Sequence, residues 1–118
     1  MNHKDLDVWK SAMLLAEAIY VETDDFPTHE QFVLTSQLRR AAVSVPANIA
    51  EGSARKGNKE LIQFLYISLG SLAELETLII LSNKVGYFID EKQEKLLALI
   101  TQCSKLTHGL INYLKAKG

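Results

Sequence analysis

The chain has 118 residues, 47% of them apolar, and 13 Lys and Arg stand against 14 Asp and Glu for a formal net charge of −1. That length suits one compact domain, residues 1–118, and the apolar share excludes a disordered chain. Six Gly and two Pro fall well below the roughly 12% of ordinary usage, which excludes a sandwich or barrel of many short strands, and the balanced charge excludes a strongly basic nucleic-acid-coating tail.

No uninterrupted apolar run reaches the about 18 residues that a membrane helix needs, so none is expected to span a bilayer. The start, Met1-Asn2-His3-Lys4-Asp5-Leu6-Asp7, is polar and unlike a secretory signal. The lone Cys103 leaves no partner for an internal disulfide. A cytoplasmic protein is the expectation.

The first helical segment is expected at about residues 6–23. Leu6, Trp9, Met13, Ala16 and Ile19/Tyr20 recur at three- and four-residue steps and form its apolar stripe. Asp5 or Asp7 is placed to cap it, and Phe26-Pro27 breaks the chain beyond it. The second segment, about 29–55, opens on Thr28-His29-Glu30-Gln31, a capping-box pattern with Thr28 as N-cap. Its stripe is Phe32, Leu34/Thr35, Leu38, Ala41/Ala42, Val45, Ile49 and Gly52. Pro46 lies inside it, and because the periodicity resumes in phase, the spacing predicts one helix bent at Pro46.

The third segment, about 59–85, follows Asn58 as N-cap and is apolar nearly all round, from Leu61 to Leu81. Such a helix is covered on more than one side, and a chain of this size has little surface to spare for that, so self-association or another partner is expected. Gly86 is placed to end it as the C′ residue. The fourth segment, about 91–116, starts at Asp90 with a second capping-box pattern through Gln93. Leu96, Ile100, Cys103, Thr107, Leu110 and Leu114 recur as a heptad seam, with Leu99, Leu106 and Tyr113 beside it. Connections of three to five residues join antiparallel neighbours, so the fold class is an all-α, antiparallel up-down-up-down four-helix bundle.

Catalytic and metal chemistry lack their constellations. His3, His29 and His108 lie in different segments without Glu-x-x-His pairing, Cys103 sits on an apolar seam, and Gly52-Ser53-Ala54-Arg55-Lys56-Gly57 is not a phosphate loop. No catalytic residue, metal ligand or cofactor is expected. Arg39, Arg40, Ser44, Asn48 and Glu51 form a polar cluster on the second segment. Antiparallel pairing about the Lys56-Gly57 turn sets Arg39 and Arg40 level with Glu74, which predicts a cross-helix Arg–carboxylate pair, with Glu74 as acceptor and Glu76 as second choice, fixing register or a subunit contact; a ligand-binding polar site is the alternative. Five acids and no Lys or Arg lie between Glu17 and Glu30, whereas Arg55, Lys56 and Lys59 make the second turn basic. These three are the candidate phosphate contacts; Lys4 and Lys10 are expected at the opposite end of the bundle.

The stretch Leu38-Arg39-Arg40-Ala41-Ala42-Val43-Ser44-Val45-Pro46-Ala47-Asn48-Ile49-Ala50-Glu51-Gly52-Ser53-Ala54-Arg55 resembles the bacterial four-helix-bundle family encoded by intervening sequences in 23S ribosomal RNA genes. Asp5-Leu6-Asp7-Val8-Trp9-Lys10 and Leu69-Gly70-Ser71-Leu72-Ala73-Glu74-Leu75-Glu76 carry the same likeness. The resemblance implies a small non-enzymatic bundle. Its relatives include the accessory protein of diversity-generating retroelements, a basic ring of five subunits that binds a reverse transcriptase and nucleic acid. By that likeness a homopentamer is expected, with RNA or a reverse-transcriptase-like protein as partner; this chain departs from the basic relative in its charge. The leading expectation is a non-catalytic homo-oligomeric adaptor associated with RNA or ribonucleoprotein. The alternative is a purely protein-binding scaffold.

Overall fold

In the computed structural model, which describes residues 1–118, the apolar periodicities become helices α1 (Asp7–Glu22), α2 (Leu34–Ser53), α3 (Asn58–Lys84) and α4 (Asp90–Lys117), with no strand. Short 3-10 turns at His3–Asp5 and Thr28–Glu30 precede α1 and α2. Each helix packs on its two neighbours (α1 on α2 and α4, α3 on α2 and α4), and the diagonal pairs do not meet. The result is a square up-down-up-down bundle with extents of 47 × 24 × 20 Å. Its core runs the length of the interior, from Val8, Ala12, Leu15 and Ile19 of α1 to Leu96, Ile100, Cys103, Ile111 and Leu114 of α4.

The buried stripe of α1 is turned from the expected one. Val8, Ala12, Leu15, Ala16 and Ile19 face inward, while Met13 and Tyr20 are 44% and 46% exposed. The small Ala12 and Ala16 allow α1 to lie close in the corner between α2 and α4, and the longer side chains overhang it. In α4 the seam holds except at Leu110, which is half-buried while Ile111 takes the interior; Tyr113 is exposed.

The capping box at Thr28 does not form. Thr28 belongs to a 3-10 turn without a side-chain cap, and α2 begins only at Leu34. Glu30 serves this stretch instead: Oε1 accepts from the Leu34 N–H at 3.4 Å and Oε2 from the Tyr87 hydroxyl at 2.7 Å. Phe26 packs at 5.2 and 5.0 Å on the Tyr87 and Phe88 rings. The connection from Thr23 to Val33 is thus longer than expected because it is stretched across the bundle end onto the α3–α4 turn. Phe32, expected in the core, is left 87% exposed by this path.

Asn58 and Asp90 are first helical residues rather than caps; Gly57 and Ile89 take the cap positions. Asp90 instead accepts from the Asn83 amide at 2.9 Å. The end of α3 follows the expected form: Gly86 at φ +91°, its N–H bonded to the Asn83 carbonyl at 3.0 Å and the Tyr87 N–H to the Ser82 carbonyl at 2.8 Å, the two bonds of a Schellman turn.

The α2–α3 pairing is the most extensive of the bundle. α2 continues through Pro46 to Ser53. Beside the proline, the fully buried Ser68 hydroxyl donates to the Val45 carbonyl at 3.0 Å. At Gly52 the helices are so close that a Cβ would lie 2.7 Å from Phe64 Cβ and 3.0 Å from Leu61 Cδ1.

α3 buries one stripe and leaves another open, with Tyr66, Ile67, Ile80 and Leu81 between 37% and 50% exposed. By length and composition it is apolar enough to cross a membrane, with a mean hydropathy of 1.7, although only 39% of that stretch is buried. No uninterrupted apolar run marks this helix in the sequence, because Ser68, Gly70, Ser71, Glu74 and Glu76 interrupt it without lowering its mean much.

Replacing Gly52 by Ala is expected to cost about 1–3 kcal/mol, since Phe64 Cβ moves only with its backbone and overpacking outweighs the helix propensity gained. Urea unfolding followed by circular dichroism checks this; equal or greater stability would contradict the close approach.

Candidate functional site

The polar residues expected as a cluster on α2 divide between α3, α1 and their own helix. Ser44 faces α3, its hydroxyl 2.8 Å from that of Ser71, and the Asn48 amide turns back along α2, donating to the Ser44 carbonyl at 2.8 Å and to its hydroxyl oxygen at 3.0 Å. Glu51 turns along its own helix to Arg55 at 2.7 Å. Arg39 turns to α1, donating through Nε to the Thr23 hydroxyl at 3.0 Å and through Nη2 to the Tyr20 carbonyl at 3.3 Å, with its guanidinium 4.7 Å from the Tyr20 ring centre.

The expected Arg39–Glu74 pair is therefore absent. Arg39 finds a carbonyl, a hydroxyl and an aromatic face within its reach on α1. Arg40 does share a groove of about 300 Å³ with Glu74, Gln37, Ala41 and Ser44, but no ion pair closes across it; the ion pairs are those of His29, Glu51 and Glu22.

The basic turn is exposed throughout at Arg55, Lys56 and Lys59. Arg55 is held by Glu51 and lies 5.1 Å over the Phe64 ring, whereas Lys56 and Lys59 have no acidic partner. Chain direction corrects one expectation. A single reversal, between α1 and α2, brings the start of α1 and the α2–α3 turn to the same end, and the His3–Asp5 turn indeed packs on α2. Lys4, with Lys10 a turn deeper, therefore joins this basic end. So does the end of α4, where Lys115 Nζ lies 3.0 Å from the Tyr66 hydroxyl and Lys117 lies 5.2 Å from the Tyr113 ring centre. Asp5, Asp7, Glu51 and Glu60 are the acids there. The other end gathers Glu22, Asp24, Asp25, Glu30, Asp90, Glu91 and Glu94 against Lys84, Lys92 and Lys95. The net charge of −1 is thus spread as a bundle with one cationic and one anionic end.

The groups expected to lack catalytic chemistry are placed as follows. Burial pushes the Cys103 thiol above its ordinary pKa, more than hydrogen bonding to Ser11 and Thr107 lowers it, so it stays protonated at neutral pH. His29 lies 3.3 Å from the Tyr87 hydroxyl and 3.8 Å from Glu30. The Glu30 carboxylate, by accepting a hydrogen bond from the Tyr87 hydroxyl, holds that phenol above its ordinary value. No three His, Cys, Asp or Glu side chains gather as a metal set.

Sequence spacing gave no sign of Glu22, the carboxylate that joins α1 to α4. It accepts from Lys95 at 3.2 Å and lies 3.4 Å from Lys92, with only 13% of its side chain exposed. An α1 acid level with two α4 lysines at i and i+3 is a signal that only the α1–α4 register reveals.

These features define a helical bundle with polarised ends and an open apolar face on α3. The chain matches the 23S rRNA-intervening sequence protein family over residues 4–109 and belongs to that family. No curated protein matches it. Among solved structures it is similar to a Bacteroides thetaiotaomicron VPI-5482 protein of unknown function from the S23 ribosomal protein family. The two share 24% identity and a TM-score of 0.80, over 89% of this chain and 95% of that one, a likeness that shows the fold. The family has no assigned molecular activity.

Burial pushes the Glu22 carboxyl up, but the hydrogen bonds and charges of Lys95 and Lys92 together more than offset this and hold it below its ordinary value of 4.5. A depressed carboxylate contributes stability above its unfolded pKa and loses it as pH falls through the folded one. Glu22→Gln is expected to cost about 1 kcal/mol near neutral pH and progressively less as pH falls below about 4.5. Melting curves of both proteins across that range check it; a deficit independent of pH would contradict the ionic origin.

Proposed function

We propose that the protein is a non-catalytic adaptor that self-associates through the open face of α3 and associates with RNA or a ribonucleoprotein through its cationic end. The observation that carries this reading is the pairing of two unsatisfied surfaces on one small bundle. Tyr66, Ile67, Ile80 and Leu81 leave α3 half-covered, an arrangement that association stabilises. Arg55, Lys56 and Lys59, joined at the same end by Lys4, Lys115 and Lys117, concentrate positive charge that the overall balance conceals. The family resemblance favours five subunits and a reverse-transcriptase-like protein or RNA as partner. The polar outer face of α4, with Glu94, Lys105 and His108 exposed, favours work in the cytoplasm and away from membranes.

A second reading, a protein-binding scaffold without nucleic acid, is favoured by a specific contact. Glu51 neutralises Arg55 at 2.7 Å, which leaves fewer free cations for phosphate than the sequence suggests.

Two measurements test the reading. Leu81→Glu, on an exposed position of α3, is expected to shift the protein from an oligomer to a monomer in light scattering coupled to size exclusion. A monomeric unsubstituted chain would overturn the self-association. Replacing Arg55, Lys56 and Lys59 together by Gln is expected to weaken binding to a structured RNA hairpin and to flatten the slope of log K against log salt by roughly two to three units. Salt-independent affinity, or affinity unchanged by the substitutions, would favour the scaffold.

A further inference from the structure

A cleft of about 580 Å³ lies between the last turn of α1 and the first half of α2, away from the cationic end and from the open face of α3; Tyr20, Phe32, Thr35, Arg39, Arg40 and Ser44 line it. That volume falls within the range of small-molecule sites. A recess of about 220 Å³ adjoins it, sharing Thr35 and Arg39 and bounded on its far side by Asp24.

Three observations point to an anionic occupant. First, Arg39 is held in place by α1 through Nε and Nη2, so its orientation costs no ordering on binding, and its Nη1 has no partner. Second, Arg40 is exposed and makes neither a hydrogen bond nor an ion pair, although Glu74 lines the groove on its other side. Third, Thr35 is 7% exposed, and its hydroxyl is the one buried side-chain polar atom without a hydrogen-bond partner. Buried polar groups are nearly always satisfied, and Thr35 lines both the cleft and its recess, so a ligand seated there can complete the bonding. Phe32, 87% exposed, supplies an apolar wall at the rim.

We propose that this cleft binds a small monocarboxylate with an apolar or aromatic body, the carboxylate held by Arg40 and by Nη1 of Arg39 and the body lying against Phe32. A planar guanidinium matches a carboxylate in bidentate fashion. A single negative charge is favoured over a phosphate dianion because Glu74 and Asp24 flank the two arginines on their far sides. Glu74 and the ligand compete for Arg40, so the ion pair that α2 and α3 leave open is the reserve on which binding draws. This site is independent of the RNA reading and stands or falls apart from it.

Phenylacetate, with phenylacetamide as its neutral counterpart and phenyl phosphate as a dianion, tests the proposal on the full chain by calorimetry and thermal shift. Phenylacetate up to about 10 mM, enough to saturate a site with a Kd of about 1 mM, is expected to bind saturably and phenylacetamide not to bind. Arg40→Gln is expected to weaken binding by about tenfold, Thr35→Val to weaken it severalfold, and Glu74→Gln to tighten it severalfold. Arg40 and Glu74 are exposed, so these variants report on the site and not on folding. The absence of binding, equal binding of the amide, preference for the phosphate, or affinity indifferent to Arg40→Gln would each overturn it.

Discussion

The close approach of α2 and α3 is the constraint on which the rest of the bundle depends. Gly52 leaves no room for a Cβ against Phe64, and the buried Ser68 hydroxyl meets the Val45 carbonyl beside Pro46. These contacts fix the register of the two helices, as does the Ser44–Ser71 contact of 2.8 Å. Once the register is fixed, Arg40 must share a groove with Glu74, and the inward faces of α3 are used up by α2 and α4. The remaining apolar side of α3 has nothing in the chain to cover it. Small and hydroxyl-bearing residues at the seam, not bulk, are what permit this; larger side chains there would separate the helices and spread the core.

At the anionic end a different economy operates. Phe26, Tyr87, Phe88 and Glu30 bind the α1–α2 connection to the α3–α4 turn, and Glu22 joins α1 to α4 across the neighbouring corner. Each of these ties pairs one of the crowded carboxylates with a donor, which moderates their mutual repulsion. The cationic end has fewer such ties: Glu51 answers Arg55, and aromatic rings rather than acids receive Lys115 and Lys117.

Most of the architecture was legible in the sequence because it follows from local period. The α4 seam through Leu96, Ile100, Cys103, Thr107 and Leu114, the Gly86 stop and the α2 stripe from Leu38 to Gly52 all depend on neighbours three or four residues away. What escaped depended on distant partners. Thr28 and Gln31 have the pattern of a capping box, but Glu30 beside them is claimed by Tyr87, 57 positions along the chain. Antiparallel counting sets Arg39 and Arg40 level with Glu74, and Arg40 does share its groove, yet Arg39 turns to a carbonyl and an aromatic face on α1 that no pattern on α2 announces. The unpartnered Thr35 hydroxyl is invisible to sequence, where Thr35 reads as one more stripe residue. The location of Lys4 and Lys10, in contrast, is available from topology alone, since a single reversal returns the chain to its starting end at the close of α2.

That polarisation has a consequence for assembly. A bundle with cations at one end and carboxylates at the other carries a charge moment along its long axis. Copies related by a two-fold axis across the bundle would cancel their moments, whereas copies gathered around an axis running along it would add them. Addition yields a particle with two chemically unlike rims, one attractive to polyanions and one repelling them. Such a particle would present one rim only to a polyanion, so the distribution of a few lysines and carboxylates along 118 residues would set which rim is left facing away.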